Sequence, residues 1–190
     1  MLPTPDPANG PRRGDRLTTT RSPSDPAAHP TGDLGYAARR GLWRRLRLVR
    51  RHLGPGPYLD FGCGRGDLLA LLTAHGSASG FEADVDLADL ARRAAPGCPV
   101  HTSADAIPTG VFRGVVAPSR PDDATLALWR RALARPGGRV LLVGDGDTPS
   151  RQLALAGFTV RWEGREHWRT GPAVVVLEAR GAVPRPSSGA

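Results

Sequence analysis

The chain has 190 residues, of which 39% are hydrophobic. That content suits one core with tails, and no apolar run is long enough to span a bilayer. The net charge of +8 is carried by arginine alone, since all 26 basic residues are arginine. With so much Ala, Gly and Pro, this reads as the compositional bias of a GC-rich genome and weakens any inference from arginine to nucleic acid. The charge is also lopsided: residues 11–51 hold eleven arginines and three acids, whereas residues 52–190 hold fifteen and fourteen. Two cysteines, Cys63 and Cys98, without a CxxC, exclude a disulfide scaffold and offer no metal-ligand spacing. The Pro-rich, polar first residues do not read as a signal peptide, so the expected compartment is the cytoplasm.

In chain order, residues 1–32 hold seven prolines and almost nothing apolar, which predicts a disordered tail. Residues 33–181 form the expected domain, and residues 182–190 a second loose tail. The domain begins with "GYAARRGLWRRLRLVRRHL" (35–53). There Leu42, Leu46, Val49 and Leu53 recur at helical spacing between arginines, and Gly54-Pro55 ends the helix. "PYLDF" (57–61) predicts a strand, "DLLALLTAHG" (67–76) a helix, "SASGFE" (77–82) a strand and "VDLADLARRAA" (85–95) a helix. "CPVH" (98–101) predicts a short strand and "GVFRGVVAP" (110–118) a longer one. A helix follows over 122–138, with Asp122 or Asp123 near its cap and a Pro-Gly-Gly stop. "RVLLVGD" (139–145) is a buried strand and "TPSRQLALAG" (148–157) a helix. "FTVRWEG" (158–164) and "PAVVVLEAR" (172–180) alternate as two strands without a helix between them. Strand–helix alternation implies a doubly wound α/β sheet, mostly parallel, with helices on both faces. The count is seven strands, the last antiparallel.

The stretch "LDFGCGRGDLL" (59–69) places Gly62, Gly64 and Gly66 directly after the first strand. In such sheets ligands bind beyond the carboxyl ends of the strands, and glycine lets a ligand come close to the backbone. Three glycines alone suit a plain connecting turn equally well. Asp60, at the strand end, is poorly placed for a pyrophosphate but well placed for a cation. Glu82, ending the second strand, can accept the hydroxyls of a ribose. A ribose-bearing ligand with a positive group fits better than a dinucleotide, and the spacing is GxGxG, not the GxGxxG of NAD loops. S-adenosylmethionine combines a ribose, an ammonium and a sulfonium.

On these residues the chain resembles the class I S-adenosylmethionine-dependent methyltransferases. "LDFGCGRGDLL" is similar to the family's first motif, "GFEADVDLADLAR" to its second, and "LARPGGRVLLV" (133–143) to the helix–turn–strand around the fifth strand. The resemblance covers residues 35–180 and implies a Rossmann-like seven-stranded fold, S-adenosylmethionine as cofactor, and methyl transfer. It places Asp60 near the cofactor's amino group, with Gly62 and Gly64 beside the methionine part and Glu82 on the ribose. "TSADAIP" falls along the adenine, with Ala104 there; alignment on Pro108 puts Ser103 at the family's usual acidic position, a two-residue slip puts Asp105 there, and Asp105 is preferred, while Ala117 ends the fourth strand beside the cofactor.

The segment after that strand, "APSRP", lacks the motifs of the nucleic-acid amino- and cytosine-methylating relatives and the acid cluster of catechol-type enzymes. No catalytic residue is assigned. His101, His167, Asp145 and Tyr36 are candidates for a base, and each is read more simply as a surface or cap residue. Arg120, Trp168 and Arg169 could meet an acceptor, though a solvated loop or hairpin packing accounts for them as well. The expected acceptor is an oxygen or nitrogen of a small molecule. The alternatives are a catalytically degenerate, methyltransferase-like accessory protein and an NAD-dependent reductase. For the leading helix, packing on the sheet is preferred to contact with anionic lipid or RNA; in the family such a helix often closes over the cofactor, with residues such as Tyr36 or Arg39 near the pocket.

Overall fold

The computed structural model describes residues 36–118, 121–134, 137–144, 156–165 and 173–180. Among the described residues, four helices and seven strands follow in the order α1 (Tyr36–His52), β1 (Tyr58–Phe61), α2 (Asp67–Thr73), β2 (Ala78–Phe81), α3 (Val85–Ala94), β3 (Val100–His101), β4 (Gly114–Ala117), α4 (Asp123–Ala132), β5 (Arg139–Gly144), β6 (Phe158–Arg165) and β7 (Ala173–Ala179). A 3₁₀ turn, Ala104–Ala106, lies between β3 and β4. The strands form one sheet in the order β3-β2-β1-β4-β5-β7-β6. β7 runs antiparallel to both neighbours, while the pairs from β3 through β5 are all parallel. This is the doubly wound, mostly parallel sheet with a reversed last strand that the alternation implied.

Alternation along β1 decides what each face of the sheet receives. Tyr58 packs with the apolar side chains of α1 and α2, together with Val116, Leu141, Val143, Val174 and Val176. Leu59 packs on the opposite face with Val115, Val140, Leu142 and Leu177 beneath Leu126 and Trp129 of α4. Asp60, two residues after Tyr58, therefore shares the α1–α2 face, and Phe61 shares the α4 face. The helical spacing of Leu46, Val49 and Leu53 does what it implied: all three are buried in the first cluster, with Leu42 packed against it. Arg139 of β5 donates to the His52 carbonyl at 3.0 Å and fastens the end of α1 to the sheet.

Several boundaries differ from the sequence expectation. The helix expected over 122–138 stops at Ala132, because Leu133 turns extended and Phe112 bridges to it. The same contact shortens the strand expected over 110–118. The amides of Gly110, Val111 and Phe112 bond to the carbonyls of Arg131 and Ala132, so laddered pairing begins only at Gly114. The helix expected over 67–76 ends at Thr73. Asp122 is the N-cap of α4, accepting the Thr125 amide at 2.7 Å. The helix expected over 148–157 lies outside the described residues.

Candidate cofactor site

In the strand order, β1 has β2 on one side and β4 on the other. The chain winds away from β1 in both directions, so the loops leaving β1 and β4 diverge there and open a crevice at their carboxyl ends. The glycine turn occupies that point. Gly62, Gly64 and Gly66 all have positive φ, at 74°, 55° and 84°, a region costly for residues with a Cβ. Beyond this they serve different ends. A Cβ on Gly66 would lie 2.7 Å from the Ala91 Cα, so the third glycine lets the start of α2 press against α3. A Cβ on Gly62 would make only ordinary contact with the Pro118 ring. A Cβ on Gly64 would meet nothing within 4 Å; it would project into open space.

The turn is held from β2. The amides of Gly62 and Cys63 both donate to the Phe81 carbonyl, at 2.8 and 3.0 Å. The Glu82 carboxylate accepts the Gly64 amide through Oε2 at 2.8 Å and the Asp84 amide through Oε1 at 3.1 Å. Glu82 therefore ties the middle glycine to the end of β2 and retains lone pairs for a further donor. Asp84 caps α3 by accepting the amides of Asp86 and Leu87.

Asp60 presents the opposite situation. It is 4% exposed, and its Oδ2 has no hydrogen-bond partner among the described residues. Burial pushes its carboxyl up to about 7; the Arg45 guanidinium opposes this and the Glu82 carboxylate adds to it. Asp60 lines a cavity of about 260 Å³ together with Gly62, Gly64, Ala117, Leu42 and Arg45. Cys63, inside the turn, is also buried, and its thiol is pushed up to about 12, first by burial and then by the charges of Asp60 and Glu82.

On the other face of the sheet, Ala104 and Asp105 border a hollow of about 600 Å³ with Phe61, Phe81, Leu128 and Arg131. Phe61 stacks on its register partner Phe81 with ring centres 4.7 Å apart, and meets Trp129 edge-on at 5.5 Å. Arg131 donates to the Ala104 carbonyl at 2.7 Å and lies 3.8 Å from the Asp105 carboxylate, whose side chain is almost wholly exposed. The expected residues thus divide between two hollows. Asp60, Gly62, Gly64 and Ala117 line one, Ala104 and Asp105 line the other, and Glu82 lines neither but holds the Gly64 amide.

Arg45, Phe61 and Phe81 were not singled out from sequence. The apolar spacing of α1 reveals its buried stripe, not which arginine borders it, and Phe61 and Phe81 meet only through strand register. Of the candidate bases, His101 lines neither hollow, and its Nε2 is buried without a partner among the described residues. His167 and Asp145, like Arg120, Trp168 and Arg169, lie outside the described residues, as does the side chain of Tyr36. No group of three His, Cys, Asp or Glu side chains among the described residues could hold a metal ion.

No protein-family model matches the chain, and no curated protein matches it by sequence. Solved structures do match in fold. The Burkholderia thailandensis 1,6-didemethyltoxoflavin-N1-methyltransferase, solved with 1,6-didemethyltoxoflavin and S-adenosylhomocysteine, superposes with a TM-score of 0.59 at 19% identity, over 77% of this chain and 84% of that one. The magnesium protoporphyrin IX methyltransferase of Synechocystis PCC 6803, solved with bound S-adenosylmethionine, gives 0.56 at 16% identity, over 75% and 80%. A putative type 11 methyltransferase from Sulfolobus solfataricus gives 0.63 at 13% identity, over 77% and 98%. The fold of this chain is the Rossmann-like fold of the class I S-adenosylmethionine-dependent methyltransferases.

Proposed function

We propose that the protein binds S-adenosylmethionine across the carboxyl edge of β1 and transfers its methyl group to an oxygen or nitrogen of a small molecule. The observation that carries this reading is Asp60: a buried carboxylate whose Oδ2 has no hydrogen-bond partner among the described residues, lining a cavity beside the glycine turn. An unpaired carboxylate in such a place costs stability, and a cation in the cavity removes that cost. An ammonium answers the need, and a phosphate would worsen it, which favours this cofactor over a dinucleotide. When bound, the cofactor supplies an activated methyl group on a sulfonium.

The chain's own residues then divide the work. Asp60 receives the ammonium. Arg45, from α1 in the same cavity, is placed for the carboxylate beside it. Gly64 leaves room where a Cβ would obstruct. Glu82 already holds the Gly64 amide and offers its remaining lone pairs to a ribose. Phe81 and the Ala104–Asp105 turn border an aromatic-lined hollow that suits a purine, with Asp105 within reach of an exocyclic amine. Transfer to a nucleophile aligned within about 3–3.5 Å draws much of its rate from orientation, so a strong base is not a requirement. Two neighbours are named for small molecules, 1,6-didemethyltoxoflavin in one and magnesium protoporphyrin IX in the other, which is in keeping with this acceptor class.

Isothermal titration with S-adenosylhomocysteine tests the reading. Micromolar binding by the unaltered chain, lost in Asp60→Asn, is the expected result; no binding by the unaltered chain overturns it. Binding without methyl incorporation into any fraction of the organism's extract would favour the accessory-protein alternative.

A further inference from the structure

α1 has two stripes at helical spacing, and the cofactor site uses only one. The inward stripe, Leu42, Leu46, Val49 and Leu53, packs on the sheet or faces the cavity. The outward stripe consists of residues 40, 43, 44, 47, 50 and 51, spaced i, i+3, i+4, i+7 and onward, so its side chains stack along the helix side turned from the core. Every one of these residues is arginine except position 43, which is tryptophan. Trp43 is 51% exposed, among the most exposed large apolar side chains of the described residues. Arg40, Trp43, Arg44, Arg47, Arg50 and Arg51 line a shallow groove of about 840 Å³. The 17-residue helix contains no acid. Residues 52–190 come close to neutrality, with fifteen arginines against fourteen acids, so the basic bias of composition does not by itself produce such a face.

We propose that this outward stripe is a docking surface for single-stranded nucleic acid, in which the arginines meet successive phosphates and Trp43 stacks on a base. Charge complementarity selects a polyanion, and the half-exposed indole within the arginine row selects one that carries flat rings. An anionic lipid surface fits less well. A helix lying in a membrane inserts a continuous apolar face, whereas here Leu46, Val49 and Leu53 are committed to the core. The proposal does not rest on methyl transfer, because the residues it uses line none of the cofactor hollows.

The test is fluorescence anisotropy of the full chain with a labelled fifteen-nucleotide single-stranded RNA, titrated across salt concentrations. With about five phosphates engaged, the plot of log affinity against log salt should fall with a slope of about 3 to 4, at about 0.7 per phosphate. Trp43→Ala should weaken binding roughly ten-fold and Trp43→Phe much less, as stacking demands. The double variant Arg47→Gln, Arg50→Gln should lower the slope by about 1.4. Circular dichroism melting of each variant shows whether it remains folded, and the Phe and Gln variants leave the core untouched. No binding at 50 mM salt, or binding indifferent to both Trp43 and the arginine pair, overturns the proposal. Co-sedimentation with phosphatidylserine vesicles in the absence of RNA binding overturns it in favour of a membrane surface.

Discussion

The ends of β1 and β2 each carry one carboxylate, and the two are in opposite states. Glu82, at the end of β2, has both oxygens engaged by backbone amides. Asp60, at the end of β1, is more deeply buried and has an oxygen without any partner among the described residues. The first belongs to the architecture as it stands. The second, when ionised, costs stability that a proton or a cation in the cavity would restore. The two ends therefore separate a carboxylate the turn uses to form from one the proposed cofactor would use.

Removing the charge at β1 should produce the largest effect. Asp60→Asn should weaken S-adenosylhomocysteine binding roughly 100-fold, the scale expected when one partner of a buried charge pair is removed. The same substitution should stabilise the unliganded protein at high pH. Asp60 sits at about 7 in the fold, against 3.8 for an ordinary aspartate carboxyl. Its contribution to stability is therefore fully present below about pH 4 and is lost as pH rises through 7. The loss reaches roughly 4 kcal/mol at pH 8, of which the amide, itself buried, should recover a part. Thermal melts at pH 5 and pH 8 check this; a variant less stable than the parent at pH 8 would show that Asp60 is paired in solution.

The linkage also predicts a pH profile for binding. The empty site is protonated below about 7, so affinity for S-adenosylhomocysteine should fall about ten-fold per unit between pH 7 and pH 5. The profile should flatten in Asp60→Asn. A parent profile that is already flat would remove Asp60 from the binding step.

The glycines sharpen the same division within the turn. Gly66→Ala drives a Cβ to 2.7 Å from the Ala91 backbone and should cost roughly 2–4 kcal/mol of stability, measured by urea titration. Gly64→Ala meets no atom within 4 Å, so its cost should be the backbone strain of about 1–2 kcal/mol. Its larger effect should fall on cofactor affinity. If the Gly64 variant binds normally, the open space beside it is not the berth.

The smallest effect is expected at β2. Glu82→Gln keeps one carbonyl oxygen for the Gly64 amide and should reduce affinity about ten-fold while lowering stability by about 1 kcal/mol. A loss as large as that of Asp60→Asn would mean that the two carboxylates do not play separate parts.

Much of this arrangement could be read from residue order. The strand–helix alternation, the reversed last strand, the spacing of Asp60, Gly62, Gly64 and Glu82, and the Asp122 cap are local patterns, and local patterns survive in one dimension. What escaped were effects of contact. The Phe61–Phe81 stack exists because parallel register sets residues twenty apart side by side. Arg45 faces the cavity because of the phase at which α1 lands on the sheet. The early end of α4 follows from a bridge between Phe112 and Leu133 that no helix propensity announces. Glu82 was legible as the acid that ends the second strand, but its hold on the Gly64 amide was not, since that bond depends on how the turn folds back over β2.

The thiol of Cys63 gives the turn a native reporter. It is buried, and burial together with the charges of Asp60 and Glu82 pushes it up to about 12, so almost none of it is thiolate at neutral pH and alkylating reagents should find it inert. Any slow labelling of that position would then clock how often the loop parts from the end of β2, and a bound cofactor should lengthen the interval.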